Sequence, residues 1–578
     1  MSLKVVIIGA VACGPKSGCR VKRLLPDAQV TMVDRDSLIS YGGCGIPFYV
    51  SGDVADLKGL LSTSFHMVRD ADFFRGAKGI EALPATEALA IDRANKTVRV
   101  RDLASGAERD LAYDKLVIAT GSRPFVPPVP GADLAGVYPV ADLHQAQAIK
   151  NLVAQGQVGG AAIIGAGATG LEMAEALADL WGVEVHLVEM APQVLPGAMD
   201  AELAAMLAAH LRAQEGVNLH LNAKLERIVG DGRGRAAAVV VDGREIAVDL
   251  VIMATGVRPN AELARAAGLS LAANGAILVN DRLQTSDPDI YAGGDCVSLP
   301  NLLSGQPTYT PSGSLANRMG RVIGSNVCGG DEAFPGVVGS FCIKLFGLSA
   351  AKTGLTDAQA RAAGYRVAAP LVVQADRAHF HPDQKLMHLK LVVEEETRRV
   401  LGCAALGENG DAVVGRVNAV AGLLPLGADL AAISNLELCY SPPLGAAVDI
   451  LNAAANTAEN LLAGRLRPIG PQEFAAKLAC RDDGCTVFLD VRGADNAAPY
   501  LECLAPAWVH IPQETLARRV DEVPRDKEVV LICNSGVRSY EAMRQLEAAG
   551  VTNTVNLSGG VAAVKKWGEP ILPKKDEE

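Results

Sequence analysis

Short runs of apolar residues, each of strand length, recur in the first half of the chain and end in glycine-rich turns. Such runs stand at residues 5–8, 116–119, 161–164 and 250–254. A continuous apolar run of this length is typical of a strand that is buried on both faces, as in a parallel sheet. Helical patterns follow the first and third runs. The pattern therefore predicts an α/β chain with parallel sheets.

The composition narrows the class of protein. With 578 residues the chain is too long for one core, and about three to five domains are expected. The net charge is −11 with no long basic run, so nucleic-acid binding is not expected. No segment approaches the ~18 apolar residues of a membrane span, and the N-terminus lacks the pattern of a signal peptide. We therefore expect a cytoplasmic protein.

The cysteines and histidines give no metal-binding pattern. The 12 cysteines are irregularly spaced without a Cys-x-x-Cys pair, and the 9 histidines show no ligand spacing. In the cytosol most of these cysteines are expected to be free thiols. Apart from Cys44 and Cys533, we expect the cysteines to pack as small apolar side chains with a structural role.

The first glycine turn matches a dinucleotide-binding pattern in part. Gly9 and Gly14 hold the outer positions of Gly-x-Gly-x-x-Gly, and Val11 holds the middle one. A side chain at the middle position is expected to hinder the close approach of a pyrophosphate. The next predicted strand, residues 30–34, ends in Asp34, where a ribose-binding carboxylate belongs. A plain strand-to-helix turn is the alternative interpretation of this segment.

The second glycine turn matches the same pattern in full. Gly165, Gly167 and Gly170 occupy all three positions, a helical pattern follows, and the next strand ends in Glu189. A carboxylate at this point accepts hydrogen bonds from the adenosine ribose and repels a 2′-phosphate. No Arg or Lys follows within the next several residues. The segment therefore predicts a nicotinamide site that prefers NADH over NADPH.

Three further motifs connect the two turns. Thr120-Gly121 and Thr255-Gly256 end two buried strands that are near copies of each other, and Gly293-Gly294-Asp295 follows later. In this order the motifs resemble the two-dinucleotide-fold flavoprotein disulfide reductases, over about residues 1–455. The resemblance implies FAD at the first turn, a nicotinamide dinucleotide at the second, and contact of Asp295 with the flavin ribityl chain.

The residues that the resemblance places against these two dinucleotides are Gly9, Val11, Ala12, Gly14, Asp34, Arg35, Thr120, Gly121, Gly165, Gly167, Gly170, Glu189, Gly256, Gly294, Asp295 and Ala316.

Cys44 is the candidate redox residue. It lies in Ser40-Tyr-Gly-Gly-Cys44-Gly-Ile-Pro47, and in the resembled fold this position is the start of a helix that faces the flavin. A helix N-terminus favours the thiolate, which is the reactive form. Dithiol members of the superfamily carry a second cysteine about five residues away, but Ser40, Phe48 and Tyr49 occupy that neighbourhood here. Cys44 is therefore expected to work through an external sulfur or oxygen compound.

Single-cysteine members of the family divide into NADH oxidases or peroxidases and coenzyme A disulfide or persulfide reductases. Peroxidase-type members carry a His in the first glycine turn, at the position that Ala12 occupies here. The strings around Gly9–Gly14 and Ser40–Pro47 resemble the coenzyme A disulfide reductase branch. The residues that this branch implies for substrate or CoA binding are Lys16, Arg20, Arg23, Ser40, Gly43, Asn317, Phe380 and His381.

The basic residues among these stand at helical spacing. Intervals of three and four place Lys16, Arg20 and Arg23 on one face of a helix that is expected to open at Pro15. They match the branch's contacts with the CoA phosphates, and a solvated basic stripe is the alternative.

The chain also departs from the branch. Tyr440 fits a residue that reaches the active site of the partner subunit in a homodimer, and we expect it to be catalytic. Val448 stands where a CoA-contacting Lys is common, and Phe380-His381 replaces a paired-Tyr segment. Both changes weaken the case for CoA disulfide as the substrate, because a smaller persulfide or polysulfide needs fewer phosphate contacts.

The C-terminal segment predicts a separate α/β domain. Residues 488–492 form a strand that ends in an acid and a base, and Cys533 opens a loop between a strand and a helix. Backbone N–H groups in such a loop form an anion-binding nest. The Cys-x-x-Gly-x-Arg loop resembles that of rhodanese sulfurtransferases, which implies a sulfur-carrying Cys533 cradled by Asn534, Ser535, Gly536, Val537, Arg538 and Ser539.

The predicted fold is thus α/β, with two Rossmann-like dinucleotide-binding domains built on three-layer sheets, an α+β dimerisation domain and a C-terminal α/β rhodanese domain. The expected boundaries are 1–145 with 263–325 for FAD, 146–262 for NAD(P)H, 326–455 for dimerisation, 456–469 for a linker and 470–578 for the rhodanese-like domain.

The leading hypothesis is an NADH-dependent reductase of persulfide, polysulfide or CoA disulfide. It would use FAD and Cys44, with CoA as a further candidate ligand and Cys533 delivering or accepting sulfane sulfur. An NADH oxidase or peroxidase with an accessory rhodanese domain is the alternative, and a redox-sensing or sulfur-carrier protein is a third.

Overall fold

The computed structural model describes residues 2–140, 142–568 and 571–572. The chain divides into two compact units, the first made of residues 1–190 and 216–337 and the second of residues 191–215 and 338–578. The last residues of the predicted rhodanese domain lie outside the described part. Within the described ranges, no helix combines the length and the apolar character that crossing a bilayer requires.

The first unit holds two parallel five-stranded sheets of related topology. The first sheet runs, from edge to edge, Ile290–Ala292, Lys115–Ile118, Lys4–Ile8, Gln29–Val33 and Glu81–Leu83. The second runs Val217–Leu221, Glu184–Glu189, Gly160–Ile164, Leu250–Met253 and Val137–Tyr138. In both sheets the strand before the glycine turn lies between the strand before the acid and the strand before the Thr-Gly turn. The glycine turn, the acid and the Thr-Gly turn therefore meet at the carboxyl edge of each sheet, where dinucleotides bind in open α/β sheets.

Smaller sheets, most of them antiparallel, complete the unit. The other strands of the unit are Thr86–Asp92, Thr97–Asp102, Glu108–Ala112, Ser122–Pro124, Leu225–Gly230, Ala236–Val241, Arg244–Ala247, Val257–Pro259, Ile277–Leu278, Val297–Pro300 and Pro307–Thr308. Its α-helices are Cys13–Leu24, Ile46–Ser51, Lys58–Leu61, Ala71–Phe73, Leu143–Ala154, Ala168–Trp181, Glu262–Ala266 and Gly313–Val327, with a π-helix at Phe74–Lys78 and a 3₁₀ turn at Gly43–Gly45.

Helices Cys13–Leu24 and Gly313–Val327 cross at very short range. A methyl carbon added at Gly320 would lie 2.5 Å from the Cys13 carbonyl oxygen, and one at Gly324 would lie 2.6 Å from the Ser17 oxygen. Small residues at this spacing let the two backbones approach closely. The crossing brings the helix that follows the first glycine turn against the helix that follows the Gly293-Gly294-Asp295 motif.

The second unit contains an antiparallel sheet and a parallel one. The antiparallel sheet runs Phe341–Leu345, Leu348–Gly354, Val400–Gly407, Leu386–Glu394 and Val367–Ala368, and Leu371–Ala375 also pairs with Leu386–Glu394. The parallel sheet runs Pro468–Ile469, Thr554–Leu557, Glu528–Ile532, Thr486–Asp490 and Trp508–His510. The α-helices of the unit are Ala201–Arg212, Asp357–Ala362, Gly410–Leu423, Leu430–Ser434, Ile450–Leu462, Pro471–Ala479, Ala494–Leu504, Gln513–Leu516, Val537–Ala548 and Gly560–Trp567; its 3₁₀ turns are Leu424–Leu426, Arg481–Asp483 and Val520–Glu522.

The predicted α/β fold class is confirmed, and some element bounds differ by a few residues. Strand Gln29–Val33 ends one residue before Asp34, and the first helix begins at Cys13 rather than Pro15. The irregular part of the predicted linker is limited to residues 463–467. Its first half lies in helix Ile450–Leu462, and Pro468–Ile469 is already an edge strand of the C-terminal parallel sheet.

Candidate active site

The first glycine turn is packed so tightly that only glycine fits at its two outer positions. Gly9 has φ of 108°, and a side-chain carbon there would lie 2.1 Å from the Ala119 carbonyl oxygen. One at Gly14 would lie 1.9 Å from the Gly9 oxygen. Asp34 accepts hydrogen bonds from the Ala10 N–H at 2.7 Å and the Asp36 N–H at 2.9 Å. Burial raises the pKa of the Asp34 carboxyl group.

The second glycine turn repeats this geometry. Gly165 has φ of 106°, and a side-chain carbon at Gly170 would lie 1.9 Å from the Gly165 oxygen. One at Gly167 would meet nothing within 4 Å, so the middle glycine faces open space. Glu189 Oε2 accepts from the Ala166 N–H at 2.8 Å, as Asp34 does from Ala10 in the first turn. Both turns therefore hold an acid beside the backbone, as a dinucleotide fold requires.

The segments that follow the two Thr-Gly turns pair with each other. Strand Ser122–Pro124 pairs antiparallel with strand Val257–Pro259, so the segments after Thr120-Gly121 and Thr255-Gly256 form a two-stranded ribbon. Thr120 Oγ1 donates to the Asn260 carbonyl oxygen at 2.5 Å. The ribbon ties the two Thr-Gly turns together.

Asp295 lies at the start of the long helix Gly313–Val327. The Ser312 N–H donates to Asp295 Oδ1 at 3.0 Å, and the Tyr309 hydroxyl donates to the Asp295 carbonyl oxygen at 2.8 Å. Burial raises the pKa of the Asp295 carboxyl group. Gly294 has φ of 82°, and a side-chain carbon there would lie 3.2 Å from Cys13 Cβ. Ala316, also predicted to line the cofactor site, is buried on the same helix.

Cys44 lies on the 3₁₀ turn Gly43–Gly45 and is exposed. A side-chain carbon added at Gly313 would lie 3.5 Å from Cys44 Sγ, so the thiol faces the first turn of helix Gly313–Val327. The Ser40 N–H donates to the Ala10 carbonyl oxygen at 2.7 Å, which fixes the Cys44 segment to the first glycine turn. The following helix, Ile46–Ser51, has only six residues. The structure thus brings Cys44, Asp295 and the first glycine turn to one place.

The predicted basic face is present on helix Cys13–Leu24, but its members differ in their contacts. Lys16 and Arg23 are exposed. Arg20 Nε donates to Ser325 Oγ at 2.9 Å, and its guanidinium lies 3.5 Å from Glu332 Oε1. Two cations are therefore open to an anionic ligand, and the third is engaged within the protein. Asn317 is also exposed, and its Nδ2 donates to the Gly313 carbonyl oxygen at 2.8 Å.

The substrate-related residues predicted in the second unit lie together on its surface. The Ala378 N–H donates to the Pro442 carbonyl oxygen at 3.2 Å, which joins the segment of Phe380 and His381 to that of Tyr440. Gln374 Nε2 donates to the Val448 carbonyl oxygen at 2.7 Å. The large apolar side chains exposed here, with their exposed fractions, are Phe380 at 68%, Tyr440 at 55%, Leu444 at 72% and Val448 at 58%. Exposed apolar side chains grouped in this way are typical of interaction surfaces.

Cys533 lies at the carboxyl end of strand Glu528–Ile532, with its side chain 1% exposed. The Gly536 N–H donates to Cys533 Sγ at 3.0 Å, and the Ser539 hydroxyl donates to it at 3.2 Å. Gly536 has φ of 98°, which turns its N–H toward the sulfur. The other predicted loop residues surround this turn, with Asn534 and Val537 exposed and Ser535 and Arg538 half-buried. Two donors are therefore directed at one sulfur atom, as in a loop that cradles a bound anion.

A buried ion pair lies at the end of strand Thr486–Asp490, which pairs with the strand that leads into the Cys533 loop. Asp490 is 0% exposed and accepts from Arg492 Nη2 at 2.6 Å and from Trp508 Nε1 at 3.2 Å. The Arg492 guanidinium also lies over the Tyr500 ring. His510 Nε2 lies 2.8 Å from the Arg492 carbonyl oxygen. The acid and base that the sequence singled out at the end of this strand are therefore structural neighbours of the loop.

The expectation that the remaining cysteines are packed side chains is wrong for half of them. All twelve are free thiols, and Cys13, Cys296 and Cys403 are buried as expected. Burial raises the pKa of the Cys13 and Cys403 thiols. The cysteines that the structure leaves exposed are Cys342, Cys439, Cys480, Cys485 and Cys503. They lie in loops, on an edge strand or at helix ends, where local sequence does not determine burial.

Sequence reasoning missed two residues near these sites. Gly313 contacts Cys44 although the two are far apart in sequence, and no local pattern indicates that pairing. Glu172, on helix Ala168–Trp181, has its pKa raised to about 7 by burial, with Glu175 adding to the shift. A carboxyl group that titrates near neutral pH is a functional candidate. An acid inside an otherwise apolar helical pattern was the available signal.

Three family models match consecutive parts of the chain. Residues 3–315 match the pyridine nucleotide-disulphide oxidoreductase model, residues 341–450 match the dimerisation domain of the same family, and residues 471–566 match the rhodanese-like domain.

Named relatives cover most of the chain. An NADH oxidase of Methanocaldococcus jannaschii is 34% identical over 80% of this chain and 100% of its own length. An NAD(P)H coenzyme A polysulfide/persulfide reductase of Pyrococcus horikoshii is 34% identical over 78% of this chain and 97% of its own. The solved structure of an NAD-dependent persulfide reductase from A. fulgidus is 37% identical, covers 97% of this chain and 100% of that one, and superimposes with a TM-score of 0.90.

The matched models follow the order of the two glycine turns, the antiparallel sheet and the Cys533 domain along the chain. Together with the paired acids and the glycine cradles, they show that the chain belongs to the pyridine nucleotide-disulphide oxidoreductase family and carries a C-terminal rhodanese-like domain.

Proposed function

We propose that this protein is an NAD(P)H-dependent flavoprotein that reduces sulfur–sulfur bonds of persulfides, polysulfides or CoA disulfide through Cys44. The observation that carries the proposal is the exposed Cys44 thiol against the first turn of helix Gly313–Val327, in a chain that holds a second sulfur-binding thiol at Cys533. A single exposed thiol has to react with an external sulfur compound. Some relatives are named as sulfur reductases and others as NADH oxidases. The compound that accepts the electrons from NADH is therefore the point to test.

The residues present fit the FAD that the family implies. The Gly9 and Gly14 cradle admits no side chain, and Asp34 stands beside the Ala10 N–H. Val11 lies at the middle position, where it narrows the approach of a pyrophosphate. FAD held there would supply two-electron transfer between NADH and the sulfur substrate. Asp295, fixed by the Ser312 N–H, is the proposed contact for its ribityl chain.

The second turn is proposed to hold NADH in preference to NADPH. The space in front of Gly167 accommodates the pyrophosphate, and Glu189 would accept from the ribose hydroxyls. The carboxylate also repels a 2′-phosphate. Thr255-Gly256 lies at the same edge of the sheet, after strand Leu250–Met253.

The proposed chemistry at Cys44 balances with two electrons. The Cys44 thiolate attacks the outer sulfur of a persulfide, R–S–S⁻, so that a Cys44 persulfide forms and the thiolate R–S⁻ leaves. The Cys44 persulfide anion then takes up two electrons and one proton and releases hydrosulfide, which restores the thiolate. The overall reaction consumes one NADH per persulfide and gives R–S⁻, HS⁻ and NAD⁺. Cys533 is proposed to deliver sulfane sulfur to the persulfide substrate of Cys44 or to accept sulfane sulfur from it.

Coenzyme A is proposed as the thiol carrier. Lys16 and Arg23 are exposed on helix Cys13–Leu24, and Arg20 lies between them. Asn317, Ser40 and Gly43 complete the proposed contacts. If CoA is held at Cys44 through a disulfide bond, reduction of the purified protein releases it. Mass spectrometry before and after reduction would detect this release. Finding no released CoA would count against CoA as a thiol held at Cys44.

A homodimer is proposed on the dimerisation-domain match and the exposed patch around Tyr440. In this arrangement Tyr440 of one copy would contribute to the Cys44 site of the other, and Phe380 and His381 would line the same site. Sedimentation of the full chain at several concentrations tests the dimer. A kcat for persulfide that falls in Tyr440→Phe, at unchanged molecular mass, tests the contribution of the hydroxyl group.

The proposed function rests on Cys44 and is tested there. Cys44→Ser is expected to lower persulfide-dependent NADH oxidation at least about a hundredfold while FAD stays bound, because removal of a covalent nucleophile costs several orders of magnitude. Cys485→Ser, which changes another exposed thiol, is the control. Measuring NADH oxidation with oxygen or peroxide in place of persulfide distinguishes the proposed reductase from an NADH oxidase or peroxidase. Retention of persulfide turnover in Cys44→Ser, or turnover with oxygen or peroxide alone, would refute the proposal.

A further inference from the structure

The short helix Gly560–Trp567 lies between the C-terminal parallel sheet and the antiparallel sheet of the second unit. Before this helix, a side-chain carbon at Gly559 would lie 2.7 Å from Val373 Cγ2. After it, a side-chain carbon at Gly568 would lie 2.6 Å from Ala209 Cβ, on helix Ala201–Arg212. Both ends of the helix are therefore in direct contact with parts of the second unit that lie outside the C-terminal parallel sheet.

Two cross-strand neighbours, Val373 and His388, lie beneath the helix. Val373 and His388 are cross-strand partners in the register of Leu371–Ala375 with Leu386–Glu394. Val373 is 2% exposed and His388 3% exposed. The His388 ring faces the Ala562 carbonyl group and Lys566, but among the described residues neither ring nitrogen makes a hydrogen bond of normal geometry.

The same turn that touches Val373 also forms the back of the Cys533 loop. A side-chain carbon at Gly560 would lie 2.4 Å from the Cys533 carbonyl oxygen. The Val561 N–H donates to that oxygen at 2.9 Å, and the Ala562 N–H donates to the Asn534 carbonyl oxygen at 3.0 Å. On its other side, a side-chain carbon at Gly536 would lie 3.2 Å from the Gly559 nitrogen.

Gly559 and Gly560 have φ of 67° and 58°, so both are left-handed and neither tolerates a side chain in this space. The turn leaves no gap between Val373 and the loop backbone. A shift of the turn would move the Cys533 and Asn534 carbonyl groups, and with them the Gly536 N–H that donates to Cys533 Sγ.

We propose that Val373, in the antiparallel sheet, is a positioning residue of the Cys533 site: it holds the Gly559–Gly560 turn, and the turn holds the loop that cradles the sulfur. His388 is its neighbour on the same surface. The inference goes beyond the proposed reductase function and rests on Cys533 being a sulfur-transfer residue. The domain that carries the dimerisation match is thereby also a part of the sulfurtransferase centre.

The test uses the full chain with thiosulfate as the sulfur donor and cyanide as the acceptor. The Cys533 thiolate attacks the outer sulfur of thiosulfate, the sulfur–sulfur bond breaks and sulfite leaves, and the Cys533 persulfide is then discharged to cyanide. In that step the cyanide carbon bonds to the outer sulfur, the sulfur–sulfur bond breaks, and thiocyanate and the Cys533 thiolate result. Val373→Ala is expected to lower kcat for thiocyanate about tenfold with an unchanged KM for cyanide, since a misplacement of the order of an ångström costs up to about a hundredfold. Val373→Ile, which keeps the bulk behind Gly559, is expected to restore kcat to within about twofold of the original.

The matched control is Val372→Ala. Val372 is the preceding residue on the same strand, and its side chain points to the opposite face of the sheet. The two substitutions remove the same atoms from buried positions, so a loss of general stability would affect both alike. Amide exchange at Gly536 is a second readout, and it is expected to accelerate in Val373→Ala and to stay unchanged in Val372→Ala.

Equal kcat losses in the two alanine variants, or an unchanged kcat and Gly536 exchange rate in Val373→Ala, would overturn the positioning role. Cys533→Ser separates this result from a failure of the proposed function. If thiocyanate formation does not depend on Cys533, sulfur transfer at Cys533 is refuted, and Gly536 exchange still decides whether Val373 holds the loop.

Discussion

At the scale of single residues, Glu189 is expected to select NADH over NADPH at the second glycine turn. Glu189 ends strand Glu184–Glu189 and accepts from the Ala166 N–H at 2.8 Å, so its carboxylate is fixed beside the second glycine turn. Glu189→Arg exchanges a charge that repels a 2′-phosphate for one that attracts it. The ratio of kcat/KM for NADPH to that for NADH is expected to rise at least about tenfold. Glu184→Arg, at the other end of the strand, should leave the ratio unchanged, and a rise there would count against the role of Glu189.

The buried Asp490–Arg492 pair gives a second prediction for single residues. Asp490→Asn keeps the shape of the side chain but leaves Arg492 buried without its counter-charge, which typically costs about 3–5 kcal/mol. The free energy of opening of strand Thr486–Asp490, measured by amide exchange, is expected to fall by that amount. Asp482→Asn, at an exposed acid eight residues earlier, should have no effect. A loss below about 1 kcal/mol in Asp490→Asn would contradict the prediction.

The residue-level predictions from sequence hold best where the signal is local. Gly9, Gly14, Gly165 and Gly170 could be placed because each tight turn is a matter of a few neighbouring residues. The contact of Gly313 with Cys44 could not be placed, since it depends on how distant segments pack. The exposed cysteines were mispredicted for the same reason: burial is set by tertiary structure, not by residue type.

At the scale of elements, the crossing of helices Cys13–Leu24 and Gly313–Val327 depends on two glycines. Gly320→Ala would place a carbon 2.5 Å from the Cys13 carbonyl oxygen, which is backbone and cannot move aside without separating the helices. Overpacking of this kind costs about 1–3 kcal/mol. The variant is expected to unfold at lower temperature and to retain less FAD on dilution.

Gly415→Ala is the matched control for that crossing. Gly415 lies in helix Gly410–Leu423, and a side-chain carbon there meets nothing within 4 Å. The same substitution should therefore be neutral or stabilising by up to about 1 kcal/mol. Equal thermal shifts in the two variants would show that the helix crossing is not what limits stability.

Element prediction from sequence was accurate for buried parallel strands and weaker for the short helices and turns between them. The continuous apolar runs identified Lys4–Ile8 and Gly160–Ile164, because full burial leaves a strong signal. The helix after Cys44 was expected from the resemblance, and it proved to be a six-residue helix preceded by a 3₁₀ turn. Short elements such as this are fixed by packing against neighbours, which a linear pattern does not contain.

At the scale of the whole molecule, the second unit depends on a histidine that stays neutral at its domain junction. Burial lowers the pKa of His388 from 6.5 to about 4, and Lys566 adds to the shift. The folded state thus binds fewer protons than the unfolded state between these values. The contribution of His388 to stability is therefore complete above pH 6.5 and is lost as the pH falls toward 4, by about 3 kcal/mol in all.

Chemical denaturation of the full chain from pH 7 to pH 4.5 measures this dependence. His388→Leu removes the titrating group at similar volume and should flatten the decline. The exposed His66 provides the control substitution His66→Leu, which should keep the decline of the original protein. A decline that is as steep in His388→Leu would assign the acid sensitivity to other groups, among them His186, His210 and His220, whose pKa values burial also lowers.

The two sulfur centres differ in one further respect, the exposure of their thiols. Cys44 is open to solvent, whereas Cys533 is 1% exposed beneath its loop. Oxidants convert accessible thiolates first to sulfenic and then to irreversible sulfinic and sulfonic acids. Peroxide would therefore inactivate the Cys44 centre before the Cys533 centre, and a cell under oxidative stress would lose sulfur reduction while sulfur transfer continued.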